Sequence, residues 1–137
     1  MANPDNDNYI IISKLRLNCE ECEDKIREFH REISFLQDFY DNVLHLKNKS
    51  LDYQYDKANL CKKTEAEIDG DGVKKILNDA YIHYSNYSEI EDLYNSLLNQ
   101  INRDIVSYQD SIAEYQGKIC ELESQIEEKK REDIKNG

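Results

Sequence analysis

Asp69-Gly70-Asp71-Gly72, residues 69–72, holds the only closely spaced glycines in a chain of 137 residues. Gly lacks a Cβ and Asp bonds its own local backbone, so together they mark a turn between two periodic segments. The stretch lies near the middle of the sequence, so the N-terminal half must be tested for packing against the C-terminal half.

Both flanks carry heptads. Upstream, Ile12, Leu15, Cys19, Cys22, Ile26, Phe29, Ile33, Leu36, Tyr40 and Val43 alternate in steps of three and four, the spacing that puts one apolar seam on a helix. Pro4 and the Asn/Asp-rich residues 3–8 supply a start and an N-cap. Downstream, the pattern runs through Ile90, Tyr94, Leu97, Ile101, Ile105, Tyr108, Ile112, Tyr115, Ile119, Leu122 and Ile126. An extra step of four between Ile101 and Ile105 is a stutter that locally relaxes supercoiling. A chain doubling back at the centre of the turn pairs residues whose numbers sum to about 141. Leu15 then faces Ile126, Cys19 faces Leu122, Phe29 faces Ile112 and Ile33 faces Tyr108. Apolar meets apolar at every level, although neither seam enters the placement of the turn.

The expected fold is all-α: a long antiparallel helical hairpin, coiled-coil-like, in one domain over 1–137. The first helix covers about 8–67, the turn 69–72, and the second helix about 73–130, with a frayed charged tail beyond it. Residues 47–50 and 83–88 are the poorest helix formers, and a bend is expected at their level.

Composition narrows the function. Charged residues make up 34% of the chain and the net charge is −11. That balance argues against nucleic acid, whose phosphates need a basic face, and against anionic membrane surfaces. The apolar run Tyr9–Ile12 is too short for a leader or a membrane span, so no membrane insertion is expected. The expected location is the cytoplasm, with any export using a route that cleaves no leader. Cys19-x-x-Cys22, with His30 after it, has the look of a metal or redox site. Both cysteines are consecutive seam positions, however, and Cys packs as a small hydrophobe. Packing is the preferred reading. A labile disulfide to Cys120, at the same level, is the alternative, and zinc would lack a fourth ligand because His30 lies two turns away. Glu67-x-Asp69-x-Asp71-Gly72 resembles half of a calcium loop, but Asn78 stands where the closing Glu is needed. His30, His45 and His83 are scattered, and no phosphate-binding glycine loop or nucleophile elbow exists. No enzyme activity, catalytic residue, cofactor or metal is expected.

A second stripe is more informative. Phe35, Phe39, Leu46, Tyr53 and Leu60 recur on another face of the first helix, and Leu98, Val106, Ala113 and Cys120 flank the second seam. These residues could widen the core at a bend. A two-helix protein has a single seam, though, and cannot bury both Phe35 and Phe39. The stripe is therefore read as a partner interface of Phe35, Phe39, Leu46, Tyr53, Leu60, Leu98 and Val106. It completes a three- or four-helix bundle in a hetero-oligomer.

The leaderless acidic hairpin with one interhelical turn and a charged tail resembles the WXG-type small helical proteins of bacterial type VII secretion. More narrowly it resembles the YwqH-like, Lap-type proteins associated with LXG toxins. Ile68-Asp69-Gly70, with Val73 and Ile76 after it, is similar to the family's Trp-x-Gly turn, with Ile68 in the Trp position and no Trp in the chain. Tyr87-Ser88-Glu89-Ile90-Glu91 matches the Tyr-x-x-x-Asp/Glu export motif, placed early in the second helix instead of after the hairpin. The resemblance implies a non-enzymatic adaptor that binds the N-terminal helical region of an LXG-type effector, with room for a second small helical protein, and presents it for export. The rival reading is a generic coiled-coil scaffold or self-associating structural protein. A prefoldin-like chaperone would need strands near the turn, and residues 61–80 show no strand alternation.

Overall fold

The computed structural model describes the backbone of residues 4–136 and the side chains of residues 7–135. Three helices account for nearly all of it: α1 (Pro4–Glu67), α2 (Asp71–Ser85) and α3 (Ser88–Asn136). No strand occurs among the described residues, so the all-α class holds. The only Pro, Pro4, opens α1, where its missing N–H costs nothing. The helix thus starts before residue 8; the expected capping side chains of residues 3–6 lie outside the described residues.

The turn is shorter and earlier than expected. Between α1 and α2 only residues 68–70 are non-helical, and Gly72 belongs to the first turn of α2. Gly70 caps α2 with an extended backbone (φ −80°, ψ 123°), and its carbonyl accepts from the Lys74 N–H at 3.0 Å. No described glycine has positive φ, and a Cβ at Gly70 or Gly72 would meet nothing within 4 Å. The turn therefore does not depend on glycine's special backbone freedom. Asp71 in the first turn suits the positive end of the helix dipole.

The second arm is broken, in contrast to the continuous helix expected over 73–130. The Asn86 N–H bonds the His83 carbonyl at 3.3 Å and the Tyr87 N–H bonds the Ser85 carbonyl at 3.0 Å, short-range bonds that close off α2. The Ser88 hydroxyl donates to Asn86 Oδ1 at 2.9 Å. Asn and Ser are weak helix formers, and the break falls within the weak stretch 83–88. Residues 47–50 stay helical within α1. The tail is also helical, not frayed: α3 runs to Asn136. Lys130–Glu127 (3.5 Å) and Lys129–Glu132 (3.3 Å) pair along it, and Asn8 Nδ2 donates to Asp133 Oδ1.

The chain divides into two compact units, one of residues up to 36 and from 104, the other of residues 37–103. In the first, α1 and α3 pack antiparallel through the expected seam. Ile12, Cys19 and Ile126 form a buried cluster with Leu15 and Leu122 against it, and Ile33 and Ile112 are buried as well. The Phe29 ring sits 5.7 Å from both Tyr108 and Tyr115, one turn to either side of its expected partner Ile112. Asn8 and Asp133 obey the same antiparallel pairing rule. Each buried Ile or Leu contributes about 1.5–3 kcal/mol.

The second unit keeps the register but changes chemistry. Val43, Ala58, Leu98 and Ile101 are buried, yet the α1 seam beyond Val43 continues as half-buried Lys47, Ser50, Gln54 and Lys57. Lys47 Nζ donates to Asn95 Oδ1 at 2.8 Å, and the Ser50 and Tyr94 hydroxyls lie 3.0 Å apart. α2 contains no buried residue; the Lys62 ammonium lies 4.7 Å from the Tyr81 ring centroid. One seam assignment changes. Leu97 is 40% exposed, whereas Leu98 is 6% exposed. Counting heptads back from Ile126 reaches Ile101, Leu98 and Tyr94 without a stutter, and the extra step of four falls between Ile90, Tyr94 and Leu98.

Candidate partner-binding site

Leu98 therefore does not belong to the expected partner face; it lies in the core of the second unit. The other expected interface residues are exposed: Phe35 and Val106 in the first unit, and Phe39, Leu46, Tyr53 and Leu60 in the second. The physical cause is visible in the second unit. Its α1 seam mixes polar Lys47, Ser50, Gln54 and Lys57 with Leu51, Ala58 and Cys61, while the large side chains of Leu46, Tyr53 and Leu60 sit off the seam and are exposed.

These residues are not only a stripe. Leu46, Ser50 and Tyr53 from α1 and Ile90, Leu93 and Tyr94 from α3 line a groove of about 420 Å³. Leu93, 71% exposed, forms part of its wall and does not figure in either stripe read from the sequence. The heptad count from Ile126 was the signal available: it leaves Leu93 and Leu97, one turn apart, together beside the seam. Lys49 is the only charged side chain lining the groove. The Lys57 ammonium stands 5.5 Å from the centroid of the Tyr53 ring.

The two residues of the export-like motif come together. Tyr87 and Glu91, with Leu51, Asp52 and Tyr55, line a smaller recess of about 270 Å³ within the second unit. Tyr87 precedes α3 and is half-buried, while Glu91 is exposed; the Glu91 N–H bonds the Tyr87 carbonyl at 2.9 Å. Of the turn residues, Ile68 is half-buried, and Gly70 and Gly72 are exposed.

The cysteines separate by environment. Cys19 and Cys22 are buried and Cys120 is exposed, all as free thiols. Cys22 borders a groove with Tyr115 and Lys118, whereas Cys120 borders a different one with Glu123 and Arg131. Burial, and then the neighbouring Glu123, push the Cys19 thiol above its ordinary value of 9.0. Alkylation of the native protein by iodoacetamide should therefore modify Cys120 first and Cys19 last, as read by mass spectrometry of the peptides. Because the folded state holds the Cys19 proton more tightly, its contribution to stability is complete below the unfolded thiol pKa. It is lost as pH rises through the folded one. Equal labelling rates for Cys19 and Cys120 would contradict the burial.

Among the described residues, no group of three or more His, Cys, Asp or Glu side chains is placed to hold a metal ion, and no helix is long and apolar enough to cross a membrane. Comparison with known proteins yields no matching family model, no matching curated protein and no matching solved structure.

Proposed function

We propose that this chain is a non-enzymatic helical adaptor that binds a helical segment of another protein. In its fuller form, it binds the N-terminal helices of an LXG-type effector and helps present that effector to a type VII export machine. The observation that carries the first part is the inversion in residues 37–103. Polar Lys47, Ser50 and Gln54 occupy the seam, while Leu46, Tyr53, Leu60 and Leu93 are more than half exposed. Large apolar side chains arranged at helical spacing along an open groove suit the docking of a partner helix. The fuller form draws its support from the Ile68-Asp69-Gly70 turn and from the pairing of Tyr87 with Glu91 in one recess.

The test is a tagged pull-down from the source organism, on lysate and on culture medium, with mass-spectrometric identification. The expected catch is one larger protein with a helical N-terminal region, present in both fractions and lost with Phe39→Asp. Tyr87→Ala should keep that protein in the lysate fraction and remove it from the medium. Recovery of this chain alone, as a homo-oligomer inside cells, would favour the scaffold reading instead.

A further inference from the structure

We propose that the groove bounded by Leu46, Tyr53 and Leu93 receives a single amphipathic helix of a partner protein, one carrying acidic residues beside its apolar stripe. This rests on the adaptor reading and adds the place and the chemistry of the contact. The apolar part rests on exposure. Leu46, Tyr53 and Leu60 recur every seven residues on α1, so the face they mark extends over two heptads, roughly 20 Å. Leu93 faces its Leu46–Tyr53 part from α3. A helix of about four turns, with anchors at i, i+3 or i+4, and i+7, matches that length.

The charge part rests on the lysines. The chain carries eleven more acids than bases, yet the one charge lining this groove is Lys49. Lys57 stands against the same tyrosine from the next turn. Glu or Asp on the flank of an incoming helix would meet Lys49 and Lys57 in the partly desolvated setting where ion pairs are less screened. A second copy is the poorer occupant. It brings a net charge of −11 onto another −11, and its matching groove offers lysines to lysines.

The experiment uses the full chain and two synthetic helical peptides with identical leucine positions, one flanked by glutamates and the other by lysines. Fluorescence anisotropy at about 0.15 M salt, where the Debye length is about 8 Å, gives the two affinities. Long-range attraction to an acidic protein would favour the lysine peptide, so the expected preference runs against the overall field. The glutamate peptide should bind about tenfold more tightly. The double variant Lys49→Glu/Lys57→Glu should reverse the order, and Leu93→Asp should abolish binding with helicity unchanged by circular dichroism. Equal affinities, preference for the lysine peptide, or no binding of either would overturn the proposal. So would a dimer in sedimentation equilibrium that Leu93→Asp dissolves, which would assign the groove to a second copy. If the peptides fail while the pull-down still yields a helical effector, the groove assignment falls and the adaptor function stands.

Discussion

Ile33→Asp is expected to remove most of the helical circular-dichroism signal near room temperature, while Phe35→Asp, two residues along the same helix, keeps it. Ile33 is buried in the first unit at 8% exposure, and Phe35 is 65% exposed. Replacing Ile33 forfeits the roughly 1.5–3 kcal/mol of its burial. It also sets a carboxylate in an apolar seam with no cation among the seam residues beside it, adding a desolvation cost of about 1–3 kcal/mol. The combined loss, about 4 kcal/mol, is comparable with the whole stability of many small domains, which lies at ~5–15 kcal/mol. Phe35→Asp removes a ring that is mostly in water already, and about 1 kcal/mol is the expected cost. The check is a thermal melt of both variants monitored by ellipticity. Equal loss in the two would end the division of α1 into a core face and a partner face.

The second large effect separates two adjacent leucines. Leu98→Ala should destabilise the protein by about 3 kcal/mol, the middle of the range for a buried leucine. Leu97→Ala should cost less than about 1 kcal/mol. Urea denaturation of the two variants decides the matter. The opposite order would return the stutter to Ile101–Ile105 and put Leu97 back in the seam. Leu98 matters more than its count suggests, because the second unit has few other large buried side chains: Val43 and Ile101 are its companions, with Ala58 adding little volume.

The heptad from Ile12 to Val43 was legible residue by residue because each of its positions is apolar and each is buried or half-buried in the structure. The antiparallel register came from the same pattern and reappears in the Phe29 contacts and the Asn8–Asp133 bond. The weak stretch 83–88 was legible as the place for a bend, and the break after Ser85 falls within it. Two features were not legible. Leu97 and Leu98 have the same side chain, so hydropathy could not choose between them; only the phase carried from Ile126 could. The groove was hidden because the α1 seam beside it carries Lys47, Ser50 and Gln54, which a search for apolar periodicity passes over. The exposed stripe on α1 was legible for the same reason the core was: its residues recur at helical spacing.

The best-packed part of this molecule is also the most expensive to nucleate. The Asn8–Asp133 bond joins positions 125 apart in the chain, and the buried cluster of Ile12, Cys19 and Ile126 closes a loop of similar length. The contacts closer in sequence, Lys47–Asn95 and Ser50–Tyr94, span 48 and 44 positions and are polar. Loop-closure entropy grows with separation, and rates fall as contacts become less local. The cheap contacts therefore carry little apolar reward, and the rewarding ones come late in the search. Refolding should then be slow for an all-helical chain of this size. A helix bound early against Leu46, Tyr53 and Leu93 would supply the missing local reward and let assembly of the partner and folding of the chain proceed as one event.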